Sequence, residues 1–419
     1  MFYLKFIVSI VTALVAWAIF VGFATLSGWW HSPIAAKDDP RDFMNAAIVI
    51  IKNKNVGNVA LALIENGNLY KEHFDAVSQR IDRDTMFSTG SMSKWITALG
   101  IMNLVQTGKI DLDAPISTYL TRWQLPPSEF NHDDVTVRRL LSHMSGLSDG
   151  LGFGDYEPDE VIPSLEESLI QPRASSGRDV QIALGRAPGT EWDYSGGGYL
   201  ILQLIIEEVS GQTFEAYMQM ALFQPLAMSR STHKYIGTVE NKSISYDGKG
   251  RQATSYQYAS SAATGFSTSV SDMIRLVQAL LADHTSPNLL RQETIGLMRE
   301  PNASYFGLDI WGLGTILYAP TESGDYVYGH DGQNDPAINA AVRINPDSGD
   351  AIIVLASGNL SLATRLGFEW AFWQTGVPDF LGLGYILPGG IRVMMFGGIL
   401  ILILGTLGTW WIRRRLQGS

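Results

Sequence analysis

The chain of 419 residues reads as an α+β fold: an antiparallel β-sheet flanked by helices, with a mainly helical insertion and an apolar helix at each end. Three observations predict it. Strand-like segments bounded by turn residues lie early, at 58–74, and late, at 307–356, so both halves must build one sheet. Between them, roughly 93–295, the apolar spacing is mostly helical. Uncharged apolar runs at 6–26 and 393–412 are each long enough to span a bilayer.

Taken in order, 1–36 reads as a transmembrane anchor or signal segment. Lys5 precedes its apolar run and Trp29-Trp30 follow at the expected interface. The run exceeds an ordinary signal-peptide core, which favours an uncleaved anchor; Ile34-Ala35-Ala36 is the cleavage site of the alternative. A globular domain is expected over 41–375. Its helix at 42–53 is followed by strands at 58–64 and 69–74 around an Asn66-Gly67-Asn68 turn. Helices are expected at 135–142, 198–209, 214–222 and 271–282. Strands follow at 307–318, 325–329, 338–344 and 351–356, the last two joined by Pro346-Asp347-Ser348-Gly349, and 361–374 is a closing helix. A short membrane-proximal connector is expected at 376–392, with Pro388 in it, and a C-terminal transmembrane helix with a basic tail at 393–419. Arg413-Arg414-Arg415 place that tail in the cytoplasm and Lys5 places the N-terminus there too. The domain between would then face outward from a bacterial-type cell membrane, in the periplasm or the extracellular space, with the lipid bilayer as one partner.

A net charge of −11 and a pI near 5.1 argue against a nucleic-acid partner. Without cysteine the chain has no disulfide, no thiol nucleophile and no thiolate-held zinc. His31, His73, His132, His233 and His284 show no catalytic spacing, and with no H-E-x-x-H pair no metal site or cofactor is expected.

The chain is organised around Phe87–Gly100. Gly90 breaks the backbone just before a helical apolar run, so Ser91 falls in the first turn and the i, i+3 spacing sets Lys94 beside it. A serine hydroxyl needs a proton acceptor, and a lysine deprived of its charge by burial can serve. Unpaired N–H groups at the helix start also point where an oxyanion would form. Tyr194, on a turn before the glycine run Gly196-Gly197-Gly198, can relay a proton as phenolate or through a lysine. The stretch Tyr328-Gly329-His330-Asp331-Gly332-Gln333 suits a strand lining a site. Gly146-Leu147-Ser148-Asp149-Gly150 matches the G-x-S-x-G turn of α/β-hydrolases, but a helix rather than a strand leads into it, which argues against Ser148 as nucleophile.

Together these stretches resemble the serine β-lactamase and penicillin-binding-protein superfamily, on the class C, D,D-peptidase and esterase side. The order Phe87-Ser88-Thr89-Gly90-Ser91-Met92-Ser93-Lys94, Leu140–Leu147, Pro188-Gly189-Thr190 leading to Tyr194-Ser195, Gly265-Phe266-Ser267-Thr268 and Gly329-His330-Asp331-Gly332 covers about 45–375. The resemblance implies a β-lactamase/transpeptidase-like fold, Ser91 as acylated nucleophile, Lys94 as its proton acceptor and Tyr194 as the tyrosine of Y-x-N. It implies His330 at the lysine of K-T-G and an oxyanion hole from the backbone N–H groups of Ser91 and Gln333. Gly196, Asp331 and Gly332 fall at substrate-binding positions. Two departures stand out: Gly196 replaces the asparagine that holds a substrate carbonyl, and Asp331 replaces a small hydroxyl residue and adds negative charge. His330, if it faces the cleft, is expected to contribute a positive charge only when protonated, with an ordinary pKa of about 6.5, and to be largely uncharged above neutral pH. The expected activity is acyl transfer to water from an ester, amide or peptide. The alternative is a penicillin-sensing or cell-wall-binding protein without catalysis.

Overall fold

A computed structural model describes residues 2–37, 39–149, 154–173, 180–282 and 290–417. Gly150 and the segment 151–153 leaving the Ser148 turn, and His284, lie outside the described residues.

Among the described residues eight strands form one antiparallel sheet: β1 (Asn58–Glu65), β2 (Asn68–Ala76), β3 (Ala303–Tyr305), β4 (Leu308–Trp311), β5 (Ile316–Pro320), β6 (Tyr326–Asn334), β7 (Ile338–Asn345) and β8 (Asp350–Ser357). Their order is β2-β1-β8-β7-β6-β5-β4-β3, so the early hairpin closes onto the last strand, Asn58 pairing with Ser357 and Ile64 with Ala351. Both faces of the sheet centre are covered. On β1, Ala60, Ala62 and Ile64 enter one apolar core while Val59, Leu61 and Leu63 enter the other. That is why β1, β7 and β8 read as nearly unbroken apolar runs rather than alternating ones.

Among the described residues there are seven longer helices, α1 (Phe2–Leu26), α2 (Pro40–Lys54), α3 (Met92–Gln106), α4 (Gly197–Ser210), α5 (Val270–Leu281), α6 (Leu362–Thr375) and α7 (Leu383–Gln417); α2 to α6 belong to the body built on the sheet, and α1 and α7 pack on each other. Phe43, Met44, Ala47 and Ile51 of α2 and Leu366, Trp370 and Trp373 of α6 cover one face. The inserted region, with α3 and α4 at its centre, covers the other. Asp39 starts α2, its carboxylate accepting from the N–H of Arg41 and Asp42, and Pro40 occupies a position with no helical partner to lose.

Three expectations are corrected. The strand expected at 307–318 is two strands, because Gly312 N–H bonds back to the Thr315 carbonyl and Gly314 takes a φ of +66°. The strand expected to stop at Gly329 runs on to Asn334: its backbone stays paired with β7 from Tyr328↔Ile344 to Asn334↔Ile338. Its polar residues resemble a loop in sequence because they line a cleft. The connector at 376–392 is mostly helical. Asp379 caps a short turn at Phe380–Gly382, and α7 starts at Leu383 and continues through Pro388.

Candidate active site

The site forms where α3, β6 and the turn before α4 converge. Gly90 adopts a φ of +57°, accessible to glycine without strain, and turns the chain so that Ser91 caps α3. Buried Ser93 locks this turn: its hydroxyl donates to the Gly90 carbonyl at 2.6 Å and accepts from Phe266 N–H at 2.8 Å. The Thr89 N–H and hydroxyl both reach the Phe266 carbonyl, so the Gly265–Thr268 motif is the bed on which the Ser91 turn rests. A Cβ on Gly332 would collide with the Thr89 carbonyl, and one on Gly90 would lie 3.3 Å from Gln333 N. Glycine at both places lets β6 lie directly against the start of α3. The ladder between β6 and β5 ends at Gly329↔Ile316, and 330–334 continues past it along the cleft.

Lys94 Nζ lies 3.4 Å from Ser91 Oγ and donates to the Ala263 carbonyl at 3.0 Å. The side chain is 1% exposed. Burial pushes its pKa down to about 7, against the opposing pull of Asp149. Near neutral pH a substantial share of this amine is therefore uncharged and able to take the Ser91 proton.

Tyr194 and Ser91 line the same cleft, and the Tyr194 ring lies 4.8 Å from Lys94 Nζ. Burial raises its pKa above the ordinary tyrosine value. The phenolate reading does not fit this burial, which holds the hydroxyl in its neutral form. His143 positions this tyrosine, stacking on it at 4.4 Å while its Nδ1 accepts from Ser195 N–H at 3.0 Å. Asp149 secures the other side of the turn. Its Oδ2 accepts from Ser195 Oγ and Gly197 N–H, each at 2.7 Å. Burial raises the Asp149 pKa to about 7, these bonds opposing. Gly196 sits at the cap of α4.

His330 is 1% exposed. Its Nδ1 meets the Asp331 carbonyl at 2.5 Å, which assigns the proton to Nδ1 and leaves Nε2 as an acceptor without a protein partner. Burial drives its pKa down to about 3, Lys94 adding to the effect. The titration expected of His330 near pH 6.5 is thus moved far to the acid side. Asp331 brings no free negative charge. Its carboxylate pairs with buried Arg343 and accepts from the Tyr318 hydroxyl at 2.8 Å; Arg343 also reaches Asp379 at 3.4 Å.

A cleft of about 800 Å³ opens onto these groups. Trp192, Tyr194 and Trp311 line one side, His330 and Gln333 the β6 edge, and Leu381 and Tyr385 the far side. Sequence reasoning missed His143, Asp149, Trp192 and Trp311. For the first two a signal existed, since His143 sits in the quoted Leu140–Leu147 stretch and Asp149 inside the rejected G-x-S-x-G match. Ser148 itself is turned toward Gly185, away from the cleft residues.

The beta-lactamase family profile matches residues 42–367. The chain belongs to the beta-lactamase family. Among its relatives, penicillin-binding protein 4 of Amycolatopsis lactamdurans is 27% identical over 335 residues, covering 73% of this chain and 82% of that protein. Esterase EstB of Burkholderia gladioli is 28% identical over 194 residues, covering 41% of this chain and 46% of that protein. Against several curated relatives the chain spans about a third to under half of their length. The octameric penicillin-binding protein homologue from Pyrococcus abyssi superimposes with a TM-score of 0.64 at 24% identity, covering 80% of this chain and 76% of that one. At that identity the likeness speaks for the fold, which is that of penicillin-binding proteins.

Proposed function

We propose that this beta-lactamase-family chain is a membrane-anchored serine hydrolase that cleaves an ester, amide or peptide outside the cytoplasm through an acyl-enzyme on Ser91. The observation that carries the reading is the buried Lys94 amine, held near neutrality 3.4 Å from Ser91 Oγ. Lys94 takes the Ser91 proton as Oγ attacks the carbonyl carbon. The oxyanion faces the N–H groups of Ser91 and Gln333. Tyr194 passes the proton to the leaving alcohol or amine as the carbon–heteroatom bond breaks. Water, deprotonated through the same groups, then attacks the ester on Ser91, releasing the acid and restoring the hydroxyl.

Support for the anchor lies in α1 and α7, which pack side by side. Trp17 Nε1 donates to the Met394 carbonyl at 3.2 Å, and Gly397 and Gly405 give room to Trp17 and Ile10. The domain boundaries at 41–375 and the outward orientation belong to the same proposal. The test is incubation with a fluorophosphonate and a fluorescent penicillin, mass spectrometry of the labelled peptide, and a turnover measurement on a nitrophenyl ester. Label on Ser91 with turnover is the expected result. Stable penicillin labelling without turnover would favour a sensor, and label elsewhere would refute the reading.

A further inference from the structure

The aromatic wall of the cleft does not end at its tryptophans. Tyr194, Trp311 and Trp192 line the cavity, and the same wall continues onto the hairpin of β3 and β4 at the edge of the sheet. Tyr194 lies 5.7 Å from Trp311, Trp311 lies 5.7 Å from Trp192, and Trp192 lies 6.4 Å from Tyr305. Tyr305 in turn meets Phe306 edge-on at 4.4 Å. The register explains why Tyr305 shares this wall. Ser304 pairs with Asp309, and their side chains bond each other at 2.6 Å on one face of the hairpin. Tyr305 pairs with Leu308 and Ala303 with Trp311. Alternation along β3 turns these two pairs to the other face, where Trp192 touches Tyr305 and Trp311 alike.

Exposure grows outward along the row. Trp311 is 2% exposed, Tyr305 54% and Phe306 90%, with Leu308 beside Tyr305 at 50%. Single apolar residues scattered over a surface need no explanation, but these are contiguous with one another and with the cleft. The turn adds a second observation. Phe306 and Gly307 form a two-residue hairpin loop with φ of +50° and +78°. Asn or Asp before Gly takes the first of these angles with least strain. A phenylalanine there costs conformational energy, and an exposed ring recovers none of it from the fold. Something that covers the ring supplies the compensation.

We infer that this row of rings is a substrate subsite, taking an aromatic or extended apolar group carried on the leaving side of the scissile bond. The inference deepens the acyl-transfer reading above and rests on it. The side follows from that mechanism. The carbonyl oxygen faces the N–H groups of Ser91 and Gln333, whereas the leaving atom takes its proton from Tyr194. The row of rings begins at Tyr194, so the group on the leaving atom runs outward over Trp192 toward Tyr305 and Phe306. As the C–O or C–N bond breaks, the alcohol or amine departs with that proton along the rings. The acyl group stays on Ser91 until water removes it as the acid.

The test uses the full chain in detergent micelles and two isomeric esters. Phenylbutyl acetate carries its ring on the leaving alcohol, and methyl phenylpentanoate carries the same ring and tether on the acyl side. Isomers partition alike into detergent, so their ratio isolates the subsite. With kcat/KM from acid release, each divided by the hydroxide rate of the same ester, the acetate should lead by about tenfold. Phe306→Asn, which suits the turn, and Tyr305→Ser should each lower that lead by about threefold or more. Equal values for the isomers, or a lead unchanged in Phe306→Asn, would overturn the inference. A lead unchanged in Phe306→Asn with altered sedimentation would give the hairpin to a second copy of the chain. A lower thermal midpoint in Phe306→Asn would show that the ring serves the fold, and would overturn it too. In each case fluorophosphonate label on Ser91 would leave the hydrolase reading standing. Cleavage of neither ester, with Ser91 unlabelled, would overturn both.

Discussion

Lys94 is where stability and catalysis should part company. Its pKa falls from 10.5 to about 7 on burial. Each unit is worth about 1.4 kcal/mol, so the folded state gives up on the order of 4 kcal/mol at pH 7 relative to an unburied lysine. The Nζ–H bond to the Ala263 carbonyl returns about 1 kcal/mol of this. Lys94→Met keeps the length of the side chain and removes its charge. The variant should therefore be more stable than the native protein by about 1–3 kcal/mol at pH 7 while losing ester hydrolysis. The pH dependence gives the decisive signature. A lysine with a depressed folded pKa leaves the unfolded state holding the extra proton between about pH 7 and 10.5, so native stability rises with pH over that window. The advantage of Lys94→Met should accordingly shrink toward zero as pH rises from 7 toward 10. Thermal or denaturant midpoints in detergent at both ends of the window measure it. A variant less stable than native at pH 7, or a gain that does not change with pH, would refute the burial argument.

Other outcomes follow from the same geometry. Ser91→Ala should abolish fluorophosphonate labelling and turnover, whereas Ser148→Ala should keep most of both, measured by gel fluorescence and ester hydrolysis. kcat/KM of the native protein should rise with pH through about 7 as Lys94 loses its proton, with no further inflection from His330 between about pH 6 and 9, because that imidazole is already neutral. Gly332→Ala should cost about a hundredfold or more in kcat/KM, since its Cβ collides with Thr89 and must push β6 off the Ser91 turn. Arg343→Met should destabilise the protein by roughly 3–5 kcal/mol by leaving Asp331 and Asp379 buried without a cation. That loss should ease as pH falls toward about 6, because without Arg343 to hold it down Asp379 takes up its proton at a higher pH than in the native protein.

Much of this was legible from residue order. The turn that sets Lys94 beside Ser91 could be read because a glycine, two serines and a lysine at helical spacing leave few other geometries. The sheet could be read because β1, β7 and β8 are buried on both faces and carry the composition to match. What could not be read depends on who faces whom. The polar run His330–Asn334 hides a strand, since ladder pairing with β7 is a property of the backbone. His143 and Asp149 act through Tyr194 and Ser195, some fifty positions away, and no local spacing reports such a contact. The helical start of α7 was hidden by Pro388 and its neighbouring glycines, which read as a break although α7 passes through them.

The departures at His330 and Asp331 look, in sequence, like two charges changed in a binding site. In the fold neither change puts an uncompensated charge in the cleft. The imidazole is neutral, and the carboxylate is committed to Arg343, itself shared with Asp379 and stacked 3.4 Å from the Tyr318 ring. Lys94, behind Ser91, is the cation nearest the reacting atoms, and burial already drives it toward its neutral form. No lysine or arginine lines the cleft among the described residues. A substrate carboxylate entering there would shed its water and find hydrogen bonds but no fixed positive partner, which a buried anion needs. An uncharged ester or amide carries no such penalty, and the tryptophans and leucines around it match an apolar substituent. With Gly196 also lacking a side-chain amide for a peptide carbonyl, the proposed hydrolase should prefer a reactive, uncharged ester or amide to an anionic β-lactam.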